Sequence, residues 1–205
     1  MIELPENIKK QIAGVILCGG RGQRMGGSDK GLVVLQGNPL VEYAINILRP
    51  QVGELMINAN RNQETYRRYG MEVVSDIEGG FLGPLAGLAS AMRTTTTELL
   101  VGVPCDSPLL PADLVVRLYK KLSEQSADIA VASSGDRLQP VFCLLRVNLL
   151  SSLLDYLSRG ERKIDRWYNQ HVMVEVDFSD TPQSFLNVNQ PQDCDEVEKF
   201  MGLNG

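Results

Sequence analysis

The chain has 205 residues and a formal net charge of −5, with 43% hydrophobic and 22% charged residues. Those proportions exclude a disordered, collagen-like or disulfide-dense chain, and the acidic balance speaks against broad nucleic-acid binding while leaving room for a small anion held by local cations. No apolar run approaches the ~20 residues that a bilayer span needs. Nothing in Met1–Gln11 reads as an export signal, and four widely spaced cysteines with one histidine give no zinc spacing, so a cytoplasmic protein with reduced thiols is expected.

After an extension over residues 1–11, Ala13–Cys18 is an apolar, β-branched run that predicts a buried strand ending at Gly19-Gly20. Leu40–Leu48 has helical spacing and stops at Pro50. Glu54–Ala59 predicts a second strand, Gln63–Tyr69 a short helix ended by Gly70, and Glu72–Ser75 a third strand. Pro84 opens a helix through Met92, Leu99–Val103 is a strand, and Pro111–Leu122 is amphipathic. Asp128–Ala132 and Val141–Leu145 predict strands, with Asn148 capping a helix to Leu157 and a further helix over Glu161–Tyr168. Val172–Phe178 and Ser184–Val188 read as edge strands, and the last helix covers Asp193–Met201.

Strands alternating with helices predict an α/β fold on a mostly parallel sheet, organised as one domain over residues 1–205. Ligands of such sheets sit beyond the carboxyl ends of the strands. The segment Leu17–Lys30, LCGGRGQRMGGSDK, lies at one such end. Its glycines permit close backbone approach and an anion nest, while Arg21, Arg24 and Lys30 add positive charge. The dinucleotide pattern fails at Met25 and the P-loop pattern at Ser28, so this phosphate cradle follows neither motif.

The run LxGGxxxRMGxxDKG, followed by NPL at Asn38–Leu40, resembles the molybdenum cofactor guanylyltransferase family. NANR at Asn58–Arg61, GPLAG at Gly83–Gly87, PCDSP at Pro104–Pro108, GER at Gly160–Arg162 and FLNVNQP at Phe185–Pro191 extend the resemblance over nearly the whole chain. It implies a three-layer, Rossmann-like nucleotidyltransferase fold. It also implies transfer of GMP from GTP to the phosphate of molybdopterin, with pyrophosphate leaving, Mg²⁺ assisting and no covalent protein intermediate. Transient contact with cofactor-synthesis or acceptor proteins follows; nucleic acid and membrane do not.

The resemblance implies that the backbone of Leu17, Cys18, Gly19 and Gly20 lines the nucleotide, and that Arg24 and Lys30 hold the phosphates. It places Asn58 and Asp76 at the guanosine end and makes Asp106 the Mg²⁺ ligand. Gly83 and the alternating Asn187 and Asn189 become pterin candidates, with Asn189 also near the metal shell. Cys18 stands where the family often has Ala. Asp29 reads as a salt-bridge partner that orients a cation, with no catalytic role. Cys105 reads as a structural thiol, His171 as structural, and Trp167 and Tyr168 as packing; Arg162 is open between a pterin phosphate contact and a solvated helix start. Two alternatives stand beside this reading: the same chemistry on other substrates (a cytidylyltransferase or a sugar-1-phosphate nucleotidyltransferase), and a non-catalytic delivery protein.

Overall fold

The computed structural model describes residues 3–19, 29–77 and 83–202. The elements run, in order, α1 (Glu6–Lys9), β1 (Ile12–Leu17), β2 (Val34–Leu35), β3 (Asn38–Pro39), α2 (Leu40–Leu48), β4 (Glu54–Asn58), α3 (Gln63–Arg67) and β5 (Glu72–Val74). There follow α4 (Pro84–Thr94), β6 (Leu99–Pro104), α5 (Leu114–Glu124), β7 (Ile129–Ser134), β8 (Arg137–Arg146), α6 (Leu150–Ser158), α7 (Ile164–Tyr168), β9 (Met173–Asp177) and α8 (Pro191–Met201). Among the described residues, no helix is long and apolar enough to cross a membrane.

The main sheet has seven strands in the order β5-β4-β1-β6-β8-β7-β9. Every pairing is parallel except those of β8, which runs antiparallel between β6 and β7. β1 shows why the sheet is covered on both faces, since all six of its residues are buried. Ile12 and Ile16 pack with Val41, Ala44 and Leu48 of α2 and with Leu114, Leu118 and Leu122 of α5. Ala13, Val15 and Leu17 pack with Leu85, Leu88 and Met92 of α4, Leu153 and Leu157 of α6, and Trp167 of α7. The layers are therefore helix, sheet, helix, as the α/β reading expects.

Some expected elements differ. Ser184–Val188 is not an edge strand. A single 3₁₀ turn covers Pro182–Phe185, and the backbone N–H of Val188 bonds the Asp106 carbonyl at 2.8 Å instead of entering a ladder. Val188 is held by packing against Leu35, Leu40 and Val197. Asn148 is not a cap; it lies inside a 3₁₀ turn over Val147–Leu149 that leads into α6. Arg162 donates from one guanidinium nitrogen to the carbonyls of Leu157 and Glu161, beyond the end of α6, so it closes a helix rather than starting one.

Candidate functional site

The carboxyl ends of β1, β4, β5 and β6 lie side by side because these strands are parallel neighbours. Residues just beyond them thus meet although they are far apart in the chain: Cys18-Gly19, Ala59-Asn60, Ser75-Asp76 and Cys105-Asp106. Gly20 and Arg24, together with the rest of the glycine loop through Ser28, lie outside the described residues.

At the β6 end, Lys30 reaches across the edge. Its Nζ donates to Asp106 Oδ2 at 2.8 Å and to Asn189 Oδ1 at 2.6 Å. Its side chain is 29% exposed and that of Asp106 12%, so the pair sits in a partly desolvated cleft. Asn187 meets the Ser107 hydroxyl. The segment carrying both asparagines is tied to the residues after β6, which explains why NVNQP and PCDSP belong to one site. Asn189 is set by its own backbone: its N–H donates to Asp193 Oδ2 at 2.7 Å, and the N–H of Gln190 to the same oxygen at 3.0 Å. These bonds open α8 with a capping box.

At the β4–β5 end, a second cluster forms around Asp76. Asn58, buried, donates from Nδ2 to Asp76 Oδ1 at 3.1 Å and to the Val74 carbonyl at 3.2 Å. Asn60 donates to Asp76 Oδ2 at 2.7 Å and accepts the Asp76 backbone N–H at 2.9 Å. Asp76 is therefore a fixed acceptor, and Asn58 acts here as its orienter. Asn60 stands inside the NANR motif, but only the structure brings it onto Asp76.

Glycines shape the gap between the clusters. A Cβ on Gly87 would run into the Asn58 amide and lie 2.7 Å from Leu17 Cδ2. The glycine lets α4 close on β1 and β4. Gly83 precedes α4 at φ 84, a conformation that favours glycine, with open space where a Cβ would stand.

Among the described residues, the hydrogen bonds of Asp29 run to the Tyr66 hydroxyl, the Asn62 amide and the Gly31 N–H, none of them a cation. Burial, reinforced by Cys18, Cys105 and Asp29 itself, pushes the Tyr66 phenol far up, so it stays protonated and donates. A hydrogen bond with Cys18, followed by burial, pushes the Cys105 thiol well above its usual range. A thiol held protonated in this way is a poor nucleophile. Away from this edge, Trp167 and Tyr168 are fully buried in the core, and His171 Nε2 lies 3.0 Å from Ser152 Oγ.

Asp106 Oδ2 and Asn189 Oδ1 converge on one cationic group, the Lys30 ammonium. Both are hard oxygen donors, so the residues present fit a small divalent cation. Among the described residues, no group of three or more His, Cys, Asp or Glu could hold an ion. A cation here would complete its shell with substrate oxygens and water, the habit of Mg²⁺ at phosphate sites.

A family model described as the MobA-like NTP transferase domain matches residues 14–174. A molybdenum cofactor guanylyltransferase from Shewanella sediminis is 51% identical over 189 residues, covering 92% of this chain and 96% of the relative. Another, from Shewanella pealeana, is 53% identical over 182 residues, covering 89% and 91%. Among solved structures, molybdopterin-guanine dinucleotide biosynthesis protein A from Archaeoglobus fulgidus superposes with a TM-score of 0.78 at 23% identity, over 93% of this chain and 99% of that one. The 2-C-methyl-D-erythritol 4-phosphate cytidylyltransferase from Thermus thermophilus gives 0.68 at 15%, over 92% and 98%. At these identities, the two structures speak to the fold alone: Rossmann-like and shared by nucleotidyltransferases.

Proposed function

We propose a mechanism for a chain that belongs to the molybdenum cofactor guanylyltransferase family of MobA-like NTP transferases. It is a nucleotidyltransferase. GMP passes from GTP to the phosphate of molybdopterin, pyrophosphate leaves, and the guanine dinucleotide form of the cofactor results. We read residues 1–205 as one such domain, working in the cytoplasm, with transient contact to the proteins that supply and accept the cofactor.

The observation that carries the mechanism is Lys30 bridging Asp106 and Asn189 at the sheet edge. A phosphate oxygen of molybdopterin attacks the α-phosphorus of GTP, and the bond from that phosphorus to the bridging oxygen of the β-phosphate breaks. Charge builds on the leaving pyrophosphate, so fixed cations carry the catalysis. Lys30 and Arg24 are assigned to the phosphates. Leu17, Cys18, Gly19 and Gly20 line the nucleotide with their backbone. Asp106, with Asn189 beside it, would hold Mg²⁺. Enzymes of this kind use a divalent metal, which neutralises phosphate charge when bound. Gly83, Asn187 and Asn189 are assigned to the pterin side.

Asp76 supports guanine. Its two oxygens are braced by Asn58 and Asn60, leaving acceptor capacity for a ligand. Guanine presents two adjacent donors, N1–H and the 2-amino group, which a carboxylate accepts together. Cytosine presents a donor beside an acceptor, and the acceptor repels a carboxylate. Replacing Asp76 with Asn should raise the KM for GTP about tenfold or more and narrow the preference for GTP over CTP, the loss of one charge-assisted hydrogen bond. Wild-type protein that turns over CTP better than GTP with Mg²⁺ would overturn the assignment.

A further inference from the structure

Lys30 carries a charge on a flexible four-carbon stem, so its aim depends on how its backbone is held. Both chain neighbours of Lys30 are fastened to one place. Asp29, 9% exposed, accepts from the Tyr66 hydroxyl at 2.6 Å and the Gly31 N–H at 3.2 Å on Oδ1, and from Asn62 Nδ2 at 3.0 Å on Oδ2. The Gly31 N–H bond makes Asp29 the cap of the 3₁₀ turn that contains Lys30. Gly31 is moulded to the same ring, since a Cβ there would lie 2.5 Å from the Tyr66 hydroxyl and 3.3 Å from Cys18 Sγ. Tyr66 is fully buried on α3, and Asn62 precedes α3 in the left-handed conformation at φ 50.

The Asn62–Tyr66 end of this arrangement continues directly from Asn58 and Asn60, the residues that brace Asp76. The Asp29 end continues directly into Lys30, which faces Asp106 and Asn189. One buried carboxylate therefore links the two clusters of the site.

We propose that Asp29, Tyr66 and Asn62 form a latch that positions Lys30 for the nucleotide phosphates and ties its aim to the segment bracing the nucleoside end. The three are positioning residues and act through Lys30. This inference rests on the nucleotidyl-transfer reading above.

The test uses the full-length chain, steady-state kinetics with GTP and molybdopterin, equilibrium binding of pyrophosphate, and near-UV circular dichroism to count folded protein. Tyr66→Phe removes one oxygen and keeps the ring. It should lower kcat about tenfold while the KM for GTP stays within about threefold, because a cation displaced by a fraction of an ångström fails mainly in the transition state. Asp29→Ala should cost about thirtyfold or more. Adding Tyr66→Phe to it should cost nothing further, since members of one unit are non-additive. Asp29→Asn keeps an oxygen for Tyr66 and Gly31 and should recover most of the lost kcat. The latch is overturned if Tyr66→Phe keeps kcat within twofold, if the double variant loses the product of the single losses, or if the losses follow the unfolded fraction. Should wild type fail to turn over GTP, the reaction reading falls. The latch is then judged by pyrophosphate, which lacks the nucleoside contacts that hold GTP and so leans more heavily on Lys30: Tyr66→Phe should bind it at least about threefold more weakly, and weaker binding by less than that would refute the latch.

Discussion

Replacing Gly87 with Ala gives a sharp test of how α4 shapes the nucleoside end. The new methyl group would overlap the Asn58 amide, with Asn58 Cγ at 2.9 Å and Leu17 Cδ2 at 2.7 Å. Neither neighbour can withdraw freely: Leu17 is a buried strand residue in the core, and Asn58 is anchored to Val74 and Asp76. Overpacking of this kind costs about 1–3 kcal/mol. Displacing Asn58 weakens two hydrogen bonds at about 1 kcal/mol each. Alanine returns about 1 kcal/mol through helix propensity.

The net is a destabilisation of about 2–4 kcal/mol, which in a chain of this size lowers Tm by roughly 6–12 °C. The same displacement unseats Asp76, so the KM for GTP should rise about tenfold, equivalent to ~1.4 kcal/mol. Differential scanning calorimetry reads the first effect and initial-rate kinetics the second. Arg93→Ala, on the exposed side of the same helix, should change neither. A Gly87→Ala protein with unchanged or raised Tm and the wild-type KM would refute the claim that this glycine sets the position of Asn58.

Two further outcomes follow from the geometry. Lys30→Ala removes the cation shared by Asp106 and Asn189; pyrophosphate release should fall about 10²–10³-fold, the scale for losing one transition-state donor, with little change in Tm because a partly exposed ion pair stabilises weakly. Burial pushes the Cys143 thiol from 9.0 up to about 11, so the folded state holds a proton that the unfolded chain releases. That stability is complete below the unfolded value and is lost as pH rises through about 11. Between pH 8 and 10.5, Cys143→Ala should therefore lose about 2 kcal/mol less in urea unfolding than wild type, and equal losses would remove Cys143 as the cause.

Much of the fold was legible because it is local. The spacing of Leu40, Val41, Ala44, Ile45 and Leu48 marked α2 at its observed bounds, and all five residues are buried. Strand direction was not legible: Phe142–Leu145 is as buried and apolar as a parallel strand, yet β8 runs antiparallel, and periodicity carries no sign of direction. The hairpin β2–β3 is not legible in the sequence because its strands have two residues each and its turn relies on positive φ at Gln36 and Gly37. In the tail, Val188 resembles a strand residue but answers to packing and to one bond with the Asp106 carbonyl. The site divides in the same way. Lys30, Asp106, Asp76 and Asn189 stand in motifs, whereas Tyr66 is an aromatic residue on a five-residue helix with no motif around it, and Asp29 is 37 positions away in the chain.

The charge of the chain gains a specific meaning at this edge. A protein of net charge −5 that handles a polyphosphate needs its cations where the phosphates lie, and free elsewhere of stronger commitments. Arg117 is committed: it pairs with Asp180 and stacks over Phe178. Lys30 is engaged differently, by one carboxylate and one neutral amide in a cleft still open to solvent. A triphosphate carries more charge than either partner and offers several acceptor oxygens, so exchanging Asp106 for it gains in Coulomb energy. On the proposed reading, the exchange would also free the Asp106 carboxylate to serve as an oxygen ligand for a divalent cation. On the proposed reading, the pairing of Lys30 with Asp106 thus holds the two groups aligned at the sheet edge until a nucleotide separates them.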